Sequence, residues 1–157
     1  MDETWMRPDH PPVIMAVARM RGSSQYPQVE GTVTFHQGMR GVVVMVELAN
    51  LPVTPTGFFA LHLHENPCGS PLPPEPYSGA GGHYNPAGQP HPRHAGDFPS
   101  VLRLRDGTAS LRFLTDRFRL RDVIGRSVVL HLGVDDFTTQ PAGNAGPRIA
   151  CGEIALR

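Results

Sequence analysis

Apolar and polar residues alternate with a period of two through most of this chain. In "GVVVMVELA" Val42, Val44, Val46 and Leu48 share one face, and in "VEGTVTF" Val29, Val33 and Phe35 lie opposite Glu30, Thr32 and Thr34. That period belongs to strands with one buried face. The same reading predicts strands near 13–20, 29–36, 41–49, 57–64, 100–105, 109–114, 126–133 and 149–156, parted by turn signals such as "HQGMRG" and "RDGT". Eight short strands without a sustained helical period predict an all-β fold, an eight-stranded antiparallel Greek-key barrel or sandwich.

The alternation stops in one region. Nine of the 17 prolines fall between Pro67 and Pro99, where neither the strand nor the helix period holds. A structureless stretch of that length inside a compact domain needs something to order it. Residues 1–11 read as a flexible N-terminal arm and 12–157 as one domain, since 157 residues bury one core but are short for two. The 14 basic and 14 acidic residues cancel, so the totals argue against a nucleic-acid binder or a membrane-surface protein. No run is long and apolar enough for a transmembrane helix, and "MDETWMRPDHPP" lacks the apolar stretch of a signal peptide. A cytoplasmic location is therefore the expectation, with an exported mature form the alternative if a leader has been trimmed. Cys68 and Cys151 permit one internal disulfide or stand as two separate thiols. A bridge would tie the proline-rich loop to the barrel and would point to an oxidising compartment.

Six of the eight histidines carry the chemistry. His62 and His64 stand two apart on a predicted strand, so both rings leave one face while Leu61 and Leu63 leave the other. His131 in "SVVLHLGV" follows the same logic, with Val128 and Leu130 turned inward. Three neutral imidazoles converging from strands suit copper or zinc on the outside of the barrel wall. In "HYNPAGQPHPRHAGD" the spacings from His83 through His91 and His94 to Asp97 are eight, three and three. Three imidazoles and a carboxylate match a closed tetrahedral zinc site. A lone His in such a loop is ordinarily a solvated side chain, but four such residues within 15 positions read as a set. His36 falls on the polar face of its strand and is expected to be exposed.

In order, the H-x-H strand, "GGHYNP", the loop ending "RHAGD", the strand "GRSVVLH" and the terminal "GNAGPRIACG" resemble the copper/zinc superoxide dismutase family over roughly residues 13–157. The resemblance implies a flattened Greek-key barrel with long metal-binding loops and one copper and one zinc per chain. Copper would sit at His62, His64, His83 and His131, and zinc at His83, His91, His94 and Asp97, with His83 shared. Asp135 maps to the carboxylate that joins a copper histidine to a zinc histidine. Arg148 maps to the arginine that guides the anion, and Cys68 and Cys151 map to the family's disulfide. The implied reaction converts two superoxide anions to oxygen and hydrogen peroxide with copper alternating between Cu(II) and Cu(I). Arg148 and His83 then take the catalytic roles. Homodimers are common in the family, so a homodimer is an open expectation here.

Three departures stand out. Phe59 and Ala60 occupy positions where the family usually shows His and Gly, which bears on local packing. The segment "FTTQPA" from Phe137 to Ala142 is short and uncharged where many members have a longer charged loop, and the second-metal loop is compact. A copper carrier of the same fold is the competing class. It would be expected to bring extra thiolates suited to Cu(I), and this chain has two cysteines, both matched to the disulfide. A zinc-only structural domain would not need the intact set of His62, His64 and His131.

Overall fold

The computed structural model describes residues 14–157, so the arm expected at 1–11 lies outside the described residues. The alternating runs form strands β1 (Met15–Gly22), β2 (Glu30–Gln37) and β3 (Val42–Ala49), which turn one row of side chains inward. Ala16, Ala18, Met20, Val33, Phe35, Val42, Val44, Val46 and Leu48 all belong to one continuous core. His36, on the opposite face of β2, is exposed as expected. The remaining strands are β4 (Phe58–Phe59), β5 (Leu61–His64), β6 (Val101–Leu102), β7 (Ala109–Thr115), β8 (Ser127–His131) and β9 (Arg148–Leu156). Seven of them form one antiparallel sheet in the order β5-β8-β9-β1-β2-β3-β7, while β4 and β6 pair separately.

The expected strand at 57–64 is thus interrupted. Ala60 hydrogen-bonds at its amide to the Gly133 carbonyl and at its carbonyl to the His131 amide, outside the regular ladder. β4 and β5 are therefore one run with a break, and the eight expected strands appear as nine segments. The expected strand at 100–105 shortens to two residues because the chain turns at once: the Leu104 amide donates to the Thr108 carbonyl. β4 runs into β5 at one edge of the seven-stranded sheet and pairs with β6, which leads into β7 at the other edge, so β3 reaches its neighbour β7 only after the long excursion through β4, β5 and β6. This is the Greek-key connection. Phe59 and Ala60 are fully buried, so the departure noted in the sequence is absorbed as core packing.

Phe118 and the single helical turn α1 (Leu120–Val123), whose Leu120 and Val123 are buried, pack into the same core. Phe98 packs between Phe113 and Phe118 at ring-centroid distances of 5.0 and 6.3 Å. The proline-rich segment stays irregular apart from a three-residue turn at Ser78–Ala80. It is fastened by a disulfide between Cys68 and Cys151, the latter in β9. Around that bridge Tyr77, Ala80 and Val129 form a second small buried cluster on the outer side of the sheet.

Candidate metal centre

β5 is buried on both faces, which the period-two rule turns into a division of labour: Leu61 and Leu63 enter the core, and His62 and His64 point outward beneath a covering loop. That loop lies along β5 almost as another strand. His83 stands opposite His64 and Asp97 opposite His62 in isolated antiparallel bridges. The Leu63 amide donates to the Gly96 carbonyl at 2.9 Å, and the Tyr84 amide donates to the Leu63 carbonyl at 2.8 Å. Gly96 permits this approach, because a Cβ there would collide with the Leu63 carbonyl.

β8 brings in the next candidate ligand. It pairs with β5 through His62↔Val129 and His64↔Ser127 and ends at His131. On its other side the register shifts between Leu130 and His131, so that Leu130 faces Ala150 and His131 faces Arg148. Ile149 is the extra residue of this bulge, and the bulge re-aims Arg148 toward the histidines.

Two groups of side chains result, each with its potential ligand atoms within 4.8 Å of one another: His62, His64, His83 and His131, and His83, His91, His94 and Asp97. Ring centroids lie 3.9 Å apart for His62 and His83, 5.0 Å for His64 and His83, and 4.9 Å for His62 and His131. A third set, His62, His91 and Asp135, links the two groups from behind.

The hydrogen bonds around the first group fix its tautomers. His64 Nδ1 lies 2.9 Å from the Gly81 carbonyl, and His131 Nδ1 lies 3.1 Å from the Gly146 carbonyl. A carbonyl only accepts, so both Nδ1 atoms carry the hydrogen and both Nε2 atoms present lone pairs. His62 Nε2 donates to Asp135 Oδ2 at 2.8 Å, which leaves its Nδ1 as the lone pair. These three lone-pair nitrogens and His83 Nε2 are all buried without a hydrogen-bond partner. Unpaired buried polar atoms are rare because each is costly. Four that converge on one space are the signature of a cation-binding pocket, and imidazole nitrogens are the donor set copper takes.

The second group passes a similar test. His91 Nε2 donates to Asp135 Oδ1 at 2.7 Å, so His91 Nδ1 faces Asp97 Oδ1 lone pair to lone pair at 3.0 Å. Acceptor against acceptor is repulsive unless a cation or a proton lies between them. His83 Nδ1 is 2.8 Å from the same oxygen, and His94 Nδ1 is 3.1 Å from His83 Nδ1. Three nitrogens and one carboxylate oxygen in this arrangement fit zinc.

Electrostatics agree with rings kept neutral for ligation. Burial, opposed by the Asp135 hydrogen bond, lowers the His62 pKa to about 4. Burial, with help from the neighbouring His62, takes His131 down to about 3. Burial also pushes His64 and His94 below the ordinary imidazole value. For Asp97 and Asp135 burial raises the pKa, but hydrogen bonds from His83 to Asp97 and from His62 and His91 to Asp135 help reverse it, and both carboxyls end below the ordinary range.

Arg148 is half-buried beside the first group. Its Nη1 donates to the Tyr77 carbonyl at 2.7 Å and its Nη2 to the Gly81 carbonyl at 2.6 Å. Burial lowers its pKa, with Glu75 acting in opposition, yet a guanidinium stays charged throughout the physiological range. Sequence reasoning missed the residues that hold this frame. Gly81 and Gly146 have φ of 72° and 80° and supply the carbonyls that set two tautomers. Tyr77 also adopts a left-handed backbone, φ 61°, and its hydroxyl donates to the Arg21 carbonyl at 2.8 Å. Gly143 backs Asp135 so closely that a Cβ there would collide with Oδ1. The only sequence signal for the glycines was their place next to ligand motifs, and Tyr77 gave none.

A family model described as "Copper/zinc superoxide dismutase (SODC)" matches residues 29–154. The chain is 39% identical over 145 residues to the superoxide dismutase [Cu-Zn] of Deinococcus radiodurans, covering 82% of this chain and 78% of that one. It is 38% identical over 138 residues to the superoxide dismutase [Cu-Zn] of Neisseria meningitidis, covering 79% and 73%. The solved structure of the Cu/Zn superoxide dismutase from Brucella abortus matches with a TM-score of 0.75 at 29% identity, over 88% of this chain and 98% of that one. With its antiparallel barrel and paired ligand clusters, the chain belongs to the copper/zinc superoxide dismutase family, oxidoreductases that act on superoxide and use copper and zinc.

Proposed function

We propose that His62, His64, His83 and His131 hold copper, that His83, His91, His94 and Asp97 hold zinc, and that Arg148 draws superoxide to the copper side. The observation that carries this reading is the convergence of four buried imidazole nitrogens without partners, in rings whose outer nitrogens are tied to Gly81, Gly146, Asp135 and Asp97. Copper supplies one-electron exchange in both directions, and zinc keeps a single oxidation state and organises its ligands.

The chain's own part is to bind, orient and protonate. Arg148, fixed by two carbonyls beside His131 in the ladder, offers a positive charge and spare N–H donors to a small anion. Asp135 holds His62 and His91 by separate oxygens, so one carboxylate sets ring orientation on both sides. His83 Nε2 is the atom placed to hold a proton beside the reacting anion, while Nδ1 stays with the Asp97 group. A carrier of Cu(I) would want free thiolates, and both cysteines are joined to each other.

The purified protein should contain about one copper and one zinc per chain, because its ligands close two sites. Arg148→Glu should slow superoxide decay in pulse radiolysis by more than about tenfold through local repulsion. The wild-type rate should fall only gently with added salt, because no residue from Phe137 to Ala142 is charged. A near-normal Arg148→Glu enzyme would overturn the role given to Arg148, and a copper-loaded wild type that leaves superoxide decay unchanged would overturn the whole assignment.

A further inference from the structure

The short segment from Phe137 to Ala142 is more than a loop that has lost its charges. Its Gln140 side chain reaches across to the second metal loop and pairs with both backbone groups of His91. The His91 amide donates to Gln140 Oε1 at 2.9 Å, and Gln140 Nε2 donates to the His91 carbonyl at 2.7 Å. Nε2 also donates to the Thr138 carbonyl at 3.2 Å, which holds the amide against its own loop. A primary amide has one acceptor and two donors arranged to mimic a peptide group, so this interlock reproduces a two-point strand pairing with a side chain.

The same loop also grips the other end of His91. Asp135 Oδ1 accepts from His91 Nε2 at 2.7 Å and from the Phe137 amide at 2.8 Å. The loop also closes on itself through its own hydrogen bonds. Asp136 accepts from the Thr138 and Thr139 amides and from the Thr139 hydroxyl. The Gly143 amide donates to the Thr139 carbonyl at 2.7 Å, and the Asp136 amide donates to the Gly143 carbonyl at 3.0 Å. His91 itself lies in the proline-rich segment outside any strand, and the interlock gives its backbone amide and carbonyl their partners.

We propose that Gln140 is a positioning residue for the zinc pocket: by holding the His91 backbone while Asp135 holds the His91 ring, one loop fixes this ligand at both ends before zinc arrives. The proposal rests on the reading of His91 as a zinc ligand. A positioning role of this kind has an expected size, since removing outer partners of metal ligands weakens metal binding about 10- to 100-fold.

The test measures zinc affinity and zinc release by competition with a chromophoric chelator, in the full chain with copper bound. Gln140→Ala should weaken zinc by at least about tenfold and speed its release, while the copper electron paramagnetic resonance spectrum and the thermal midpoint of the zinc-free protein stay near wild type. Gln140→Glu keeps the acceptor for the His91 amide but sets a carboxylate against the His91 carbonyl, so it should weaken zinc like the alanine variant. Tighter zinc in Gln140→Glu would mean that charge near the metal, rather than position, decides, and would overturn the proposal. Zinc affinity within twofold of wild type in Gln140→Ala would overturn it as well, as would equal loss of copper and zinc. His91→Ala is the separate check on the underlying reading: if that variant binds zinc normally, His91 is no ligand whatever Gln140 does.

Discussion

The two halves of the metal centre are built by different means. His62, His64 and His131 stand on β5 and β8, where ladder hydrogen bonds and a fully buried inner face set every side chain's direction. His91, His94 and Asp97 stand on a segment without strands, and its order comes from individual contacts. The Asp97 carboxylate accepts from the His94 amide at 2.9 Å, Arg117 Nη1 donates to the Pro92 and His94 carbonyls at 2.8 and 3.0 Å, and Gln140 holds His91. A ladder-borne residue keeps its backbone place as long as the sheet holds, and loop groups act only on the turn of its ring. A loop-borne ligand can be misplaced by one side chain elsewhere, which makes the second half the one to probe with single substitutions.

The substitution that breaks both halves together is His83→Ala, since His83 faces the first group with Nε2 and the second with Nδ1. It should weaken each metal by at least about a hundredfold, beyond the range for losing an outer partner, with dismutation lost. Metal analysis after dialysis reads this directly, and retention of either metal at full occupancy would confine His83 to one half.

A smaller effect is expected from reducing the disulfide. Cys68 and Cys151 are 83 residues apart in sequence, and freeing a loop of that size costs ~4 kcal/mol in the chain-entropy account. In a chain of this length that is a fall of roughly 10 °C in the thermal midpoint. The sheet should keep its circular dichroism, and activity should drop because the released segment carries the Tyr77 and Gly81 carbonyls that hold Arg148. An unchanged midpoint in calorimetry would show that the segment is held without its bridge.

A third effect is read by acid. In the metal-free protein burial holds the His62 pKa down to about 4 and the His131 pKa down to about 3, against an unperturbed 6.5. Because these folded pKa values are depressed, the native state binds fewer protons than the unfolded chain in that window. The stability contributed by keeping the rings neutral is complete above about pH 6.5 and is lost as pH falls through about 4 and 3. Urea midpoints of the metal-free chain should therefore decline from pH 6.5 toward 4, and more gently in His131→Gln. A flat profile would show that the strand-borne rings do not set the acid limit.

How much of this was legible in the sequence follows the same division. Period-two alternation revealed β1, β2 and β3 and put His62 and His64 on one face, because a strand leaves no other choice. Alternation could not show the break at Ala60 or the shortening of β6, which depend on backbone hydrogen bonds to Gly133 and around Thr108. Motif spacing grouped His83, His91, His94 and Asp97, and the structure brings those four together. The carbonyls of Gly81, Gly146 and Tyr77 were invisible, since an acceptor belonging to the backbone leaves no trace in residue type. Gln140 was read as part of an uncharged gap, yet what it contributes is two hydrogen bonds rather than charge.

The Gly81 carbonyl accepts from His64 Nδ1 and from Arg148 Nη2 at once. One oxygen is thus the common hinge pin of the His64 ring and of the Arg148 guanidinium. A shift of that peptide by a few tenths of an ångström would move both, so the reach of the guanidinium and the aim of the imidazole cannot be adjusted independently. On the proposed assignment, any attempt to widen the entrance for a larger anion by altering the chain around Gly81 would also retune the metal, and the selectivity of the entrance and the electronics of the centre would change together.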